Sequence, residues 1–208
     1  VYDIEFSPDG DYVYTAGTRG ELSKFDLTSE KRIFETRAIG PTHSLRSVSV
    51  SPTGDSIAIS TDGDYTLYSS AGKEIPFQPP VSLGRTSQIV TFSSGGHYIS
   101  SIRDFDQAAI QRASDGQILY SQLGKFIDVS EHSNRVITSR YAYNNLNGVR
   151  YTELAYLSLD NFQEITTMIL PKETLGLRYS NENSFFAVAT TEGISIMEIS
   201  GNSTWHLK

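Results

Sequence analysis

The sequence predicts an all-β chain built from five four-stranded antiparallel units, the blades of a β-propeller. Three observations carry that reading. A hydrophobic-then-Ser step recurs five times, each step is followed by a turn signal, and alternating strand-like runs surround each one. The step is Phe6-Ser7-Pro8-Asp9-Gly10, then Val50-Ser51-Pro52-Thr53-Gly54, Phe92-Ser93-Ser94-Gly95-Gly96, Val129-Ser130-Glu131-His132-Ser133 and Tyr179-Ser180-Asn181-Glu182-Asn183, at spacings of 44, 42, 37 and 50 residues. A period near forty residues with several strands per period is the mark of a propeller blade.

Each unit supplies its strands in the same order. An apolar or alternating run leads into the step: VYDIEF, SLRSVSV, SQIVTF, KFIDV and LGLRY. A second run follows it (DYVYTAG, DSIAIS, HYISSI, RVITSR, FFAVAT), then a third (GELSKFDL, YTLYSS, AAIQRAS, ELAYLSL, ISIMEIS). The fourth is more polar: KRIFETR, KEIPFQ, QILYSQ, EITTMIL and STWHLK. An apolar inner strand and a polar outer one suit a blade with one edge in the core and one in water. The turn Pro8-Asp9-Gly10 joins the first two strands, Pro presetting φ and Gly taking a positive φ. The units span roughly 1–40, 41–84, 85–123, 124–172 and 173–208. No helical period competes with this pattern.

Composition narrows the function classes. The 208 residues are 38% hydrophobic and 20% charged, as in ordinary globular domains. Twelve Tyr and ten Phe suit pleated, half-buried surfaces. The net charge of −7, with basic residues scattered, argues against a broad phosphate-tracking surface for nucleic acid. The absence of Cys excludes disulfides and Cys-ligated zinc. No stretch reaches the length of a membrane-spanning helix. The chain opens on Val1, which reads as a segment of something longer.

The first unit, with FSPDG, TAGTRGEL and Phe25-Asp26 at the end of its third run, resembles a WD repeat, and ATTEGISIMEIS in the fifth unit is similar. The resemblance departs from that family in lacking its Gly-His dipeptide and its Trp-Asp ending, and in placing Arg19 where the family usually has Asp. It implies a propeller, five blades alone or part of a larger, seven-bladed ring. It further implies a non-catalytic interaction scaffold or sensor module in the cytoplasm, taking protein partners or the remainder of its own chain and no cofactor. The alternatives are a propeller hydrolase or lactonase-like enzyme with a channel metal held by Asp62, Asp104 and Glu192, and a periplasmic TolB-like binding module.

Candidate contact residues fall on the connections between second and third strands. These are Arg19, Arg103, Phe105, and the long stretch 140–153 with Arg140, Tyr141, Tyr143, Arg150 and Tyr151. Tyr and Arg bury large area while keeping a polar end, which makes them common binding hot spots. The same stretch also reads as an extended hairpin, with Asn147-Gly148 as its turn signal. Asp62-Gly63-Asp64 and Asp104-Phe105-Asp106 read as turn carboxylates. His43, His97, His132 and His206 lack the spacing of a metal site, and no catalytic or metal residue is expected.

Overall fold

A computed structural model describes residues 1–38, 44–60, 65–76, 87–103, 107–143, 150–170, 174–180, 185–190, 193–199 and 205–207. They form five four-stranded antiparallel sheets, each matching a propeller blade. The first sheet holds β1 (Asp3–Phe6), β2 (Tyr12–Ala16), β3 (Glu21–Asp26) and β4 (Lys31–Arg37). The second holds β5 (Val48–Val50), β6 (Ser56–Ser60), β7 (Tyr65–Ser69) and β8 (Glu74–Ile75). The third holds β9 (Ser87–Phe92), β10 (Tyr98–Arg103), β11 (Gln107–Arg112) and β12 (Ile118–Leu123). The fourth holds β13 (Phe126–Ser130), β14 (Arg135–Tyr143), β15 (Arg150–Ser158) and β16 (Glu164–Leu170). The fifth holds β17 (Thr174–Tyr179), β18 (Phe185–Thr190), β19 (Gly193–Ile199) and β20 (Trp205–Leu207). Within each sheet the strands lie in chain order. The chain divides into two compact units, 1–104 with 110–119, and 105–109 with 120–208.

The recurring Ser builds the turn between the first two strands. Ser7 Oγ accepts the Tyr12 N–H at 2.9 Å, Ser51 Oγ the Ser56 N–H at 3.0 Å and Ser93 Oγ the Tyr98 N–H at 3.0 Å. Gly10, Gly54 and Gly96 each take φ between +74° and +80° and donate their N–H to the carbonyl of that Ser. Side chains pay a steric penalty in this left-handed region, and Gly does not. In the fourth sheet Asn134 takes φ +55° and donates to the Glu131 carbonyl, a role Asn tolerates better than most residues.

The core lies between consecutive sheets. In the first unit Tyr14, Leu22, Val48, Ile57, Ile59 and Tyr68 close the space between the first two sheets. Ala58, Leu67, Val90 and Ile99 do the same between the second and third. In the second unit Ile137, Leu154, Leu177, Phe186 and Val188 pack the fourth sheet on the fifth. Apolar burial is the main favourable term here.

Backbone amides at these packed faces are tied by side chains of the neighbouring first strand. Asp3 accepts the Ile4 N–H at 3.0 Å with Oδ1 and the Val48 N–H of the next sheet at 2.9 Å with Oδ2. Asp128 repeats the arrangement, accepting Val129 N–H at 2.9 Å and Tyr179 N–H at 2.8 Å. Ser47 Oγ accepts the Val90 N–H at 3.3 Å, and Ser49 Oγ the Phe92 N–H at 3.1 Å.

Candidate interaction site

Two places offer a binding surface: a cleft in the first unit and a long hairpin in the second. The cleft has a volume of about 600 Å³ and opens where the β5–β6 and β9–β10 turns stand beside each other. That size falls within the range of small-ligand and peptide pockets. Ser51, Thr53 and Asp55 line one side, and His97, Tyr98 and Arg112 the other, with Leu67, Phe92 and Leu119 adding apolar surface. The Asp55 carboxylate accepts the Thr53 hydroxyl at 2.8 Å and the Ser51 hydroxyl at 3.0 Å. These hydroxyls hold its carboxyl below the usual carboxylate range, so it is ionised at neutral pH. Opposite, Arg112 pairs with Asp115 at 2.6 Å. The cleft therefore carries an anion on one wall and a cation on the other, with an aromatic ring beside them. That set can hold a polar peptide or a small zwitterion. Among the described residues, no group of three His, Asp or Glu could hold a metal ion.

The hairpin comes from the stretch 140–153. Its described residues, 140–143 and 150–153, are strand rather than loop: β14 and β15 pair from Arg135↔Ser158 out to Tyr143↔Arg150. Tyr141, Tyr143, Arg150 and Tyr151 thus lie together on one two-stranded arm, opposite Thr152, Arg150, Tyr143 and Ala142 respectively. Alternating aromatic and polar residues favour such a pleated pair, so the extended-hairpin reading of this stretch holds. Asn147-Gly148 lies outside the described residues.

Arg140 has a role the sequence did not suggest. Its guanidinium reaches Glu153 Oε2 through Nε and Glu164 Oε2 through Nη2, each at 2.8 Å. It ties β14 to both β15 and the outer strand. The Glu153 side-chain bond, foremost, raises the pKa of Arg140, and the same bond lowers that of Glu153. Both groups stay charged at any ordinary pH.

Arg19 is exposed on the turn between β2 and β3, and its N–H donates to Glu21 Oε2 at 2.6 Å. Arg103 ends β10 in the same unit. Phe105, Asp62, Asp104 and Glu192 lie outside the described residues, as does His43. The structure brings the four hairpin residues together on one element; Arg19 and Arg103 belong to other sheets.

Sequence reasoning looked to the connections between second and third strands and passed over the cleft. A signal was present. Asp55 and His97 stand at the same place in the repeat, five residues after the hydrophobic step, where the first unit has Asp11. Two turns of one repeat bring such positions side by side when their sheets pack.

No family model matches this chain, and no curated protein matches it. Solved structures do. Hydrazine synthase from Kuenenia stuttgartiensis aligns at a TM-score of 0.74 with 10% identity, covering 99% of this chain and 65% of that one. A chain of the mitotic checkpoint complex aligns at 0.71 with 12% identity, covering 99% and 62%. The WD40 domain of Toxoplasma gondii coronin aligns at 0.75 with 13% identity, covering 99% and 57%. At such identities the likeness is one of fold, a WD-repeat-like propeller. This chain spans about 57–65% of the length of these three.

Proposed function

We propose, starting from this WD-repeat-like fold, that the chain is a non-catalytic scaffold or sensor module that engages protein partners in the cytoplasm. The observation that carries the reading is the pair of surfaces described above. A two-stranded arm bears three Tyr and one Arg, and a cleft of opposite charges suits a polar peptide. Aromatic residues and Arg contribute most of the affinity in typical protein interfaces. A propeller gives such loops a stiff base, which lowers the entropy lost on binding. The likeness to a chain of the mitotic checkpoint complex supports protein partners in general terms.

The test compares two variants of the intact chain with the wild type. One replaces Tyr141, Tyr143, Arg150 and Tyr151 by Ala; the other replaces Tyr98 and Arg112. Capture of a defined partner should fall with one of them while the far-UV circular dichroism spectrum is unchanged. Capture unaffected by either variant would remove both surfaces from consideration. The likeness to hydrazine synthase makes a second assay worthwhile. Stoichiometric divalent metal in the purified chain, with hydrolytic turnover, would replace the scaffold by the enzyme alternative.

A further inference from the structure

We propose that the cleft between the second and third sheets is a subsite for a lysine side chain presented by a protein partner. The proposal rests on the scaffold reading and gives that partner its chemistry. The equivalent gap one repeat earlier, between the first and second sheets, shows what such a gap holds. Three backbone bonds fix the equivalence: Leu27 N–H to the Asp11 carbonyl, Ser70 N–H to that of Asp55, and Ala113 N–H to that of His97. Through the cross-strand pairs, Tyr12, Lys24 and Phe34 of the first sheet then correspond to Ser56, Leu67 and Ile75 of the second. Ser70 of the second sheet corresponds to Ala113 of the third.

The first gap is filled by the chain's own lysine. Lys24 Nζ lies 3.8 Å from the centre of the Tyr12 ring and 5.4 Å from that of Tyr14. It donates to the Ser70 carbonyl at 3.3 Å, across the gap. An ammonium over aromatic faces is attracted by the ring quadrupole. Phe34 packs so closely on the second sheet that a Cβ at Gly72 would lie 2.9 Å from its ring. In the second gap Ser56 replaces the Tyr, Leu67 the Lys and Ile75 the Phe, each of them smaller. There the cleft of about 600 Å³ opens.

The lining of the cleft keeps the means of holding a lysine. Ala113, the counterpart of Ser70, belongs to it. Tyr98 and Phe92 offer aromatic surface to an ammonium, and Leu67 and Leu119 offer apolar surface to its aliphatic stem. Asp55 supplies the anion. Thr53 and Ser51 both bond its Oδ1, and Oδ2 carries neither bond. A single oxygen suits the compact ammonium of lysine, whereas the planar fork of arginine is made for two. Arg112 does not make the cleft basic, because Asp115 pairs with it at 2.6 Å. Two carboxylates, Asp55 and Asp115, thus stand against one guanidinium. The net charge of −7 favours a basic partner in the same sense.

The probe is lysine capped at both ends, Nα-acetyl-lysine N-methylamide, titrated into the intact chain and followed by amide shifts at Gly96, Tyr98 and Ala113. It should bind with a Kd of about 1 mM, as a molecule of that size allows. Acetylation of its Nζ should weaken binding about tenfold. Asp55→Asn keeps an acceptor for the two hydroxyls and loses the charge, and should weaken binding about threefold or more. Leu67→Lys rebuilds the first gap in the second and should abolish binding with the circular dichroism spectrum unchanged. No shift at those amides, equal binding of the Nζ-acetylated probe, or binding untouched by Asp55→Asn would each overturn the proposal. So would binding that survives in a folded Leu67→Lys chain; if that variant does not fold, Asp55→Asn decides. Free lysine binding about ten times more tightly than the capped form would also overturn it, since the ligand would then be the amino acid and not a protein side chain. Failure of the scaffold reading is seen separately. Capture lost with the Tyr98 and Arg112 variant, while capped lysine does not bind, removes the lysine subsite and leaves the scaffold. Capped lysine bound, while neither variant alters capture, removes the scaffold reading and leaves the lysine site.

Discussion

Replacing Asp128 by Ala should destabilise the second unit by about 2–3 kcal/mol. Its carboxylate is 6% exposed and accepts two backbone amides, Val129 N–H and Tyr179 N–H, at 2.9 and 2.8 Å. Each bond to a charged acceptor is worth about 1.5–3 kcal/mol, and removal leaves two amides without a partner in a dry interface. Against this stands the desolvation of the carboxylate. Burial, opposed by the nearby Arg178 charge, pushes the Asp128 carboxyl up from its ordinary value. The two effects together leave a loss smaller than the sum of two bonds. With a urea slope of about 1–3 kcal/mol per M, the unfolding midpoint should fall by about 1 M. Asp128→Asn should not rescue, because its amide nitrogen would face an N–H as a second donor. Ser49→Ala, which removes one neutral bond at the same repeat position, should cost only about 1 kcal/mol. The assay is urea unfolding followed by circular dichroism at neutral pH. A midpoint for Asp128→Ala no lower than that for Ser49→Ala, or full rescue by Asn, would refute the reasoning.

Further outcomes follow from the same geometry. The folded-state pKa of Asp128 lies above its unfolded value, so its contribution is fully present below the unfolded pKa and is lost as pH rises through the folded one. The stability of the wild type relative to Asp128→Ala should therefore fall as pH is raised through the acid range, read from unfolding midpoints. Asp55 has the opposite sign: its Thr53 and Ser51 bonds lower its pKa, so its stabilisation is present above the unfolded value and is lost as pH falls. Asp55→Asn should flatten the acid limb of the stability profile. Gly96→Ala should lower the thermal midpoint more than Gly10→Ala. Both cost about 1 kcal/mol for the positive φ, and only Gly96 would also press a Cβ on Pro52 at 3.2 Å. Arg140→Ala should cost about 1 kcal/mol or less, since Arg140, Glu153 and Glu164 are all partly exposed, and should weaken β16 before the sheet interior, as amide exchange would report.

The strands were legible in the sequence because alternation and turn residues are local properties. Ser7-Pro8-Asp9-Gly10 names its own turn, and Asp26 caps the next by accepting the Ser29 N–H at 2.7 Å. The stretch 140–153 was ambiguous because Tyr-rich alternation suits both a contact loop and a pleated arm. Cross-strand pairing resolved 140–143 and 150–153 as the arm. The cleft was not legible, since Asp55 and His97 are forty-two residues apart and meet only when two sheets pack.

The sequence by itself determined the repeat, the order of strands, and the placement of Gly and Ser at the turns, because each of these depends on neighbours a few residues away. Only the tertiary structure decided what those repeats do to one another. It turned polar residues of the first strands, Asp3, Ser47, Ser49 and Asp128, into acceptors for amides of the next blade. It also left Ile4 and Phe6 exposed where Val48, Val50, Ile127 and Val129, at the same places in other repeats, are buried. The reason is physical: a blade's faces acquire their partners from other blades, and no local pattern says which neighbour will supply them.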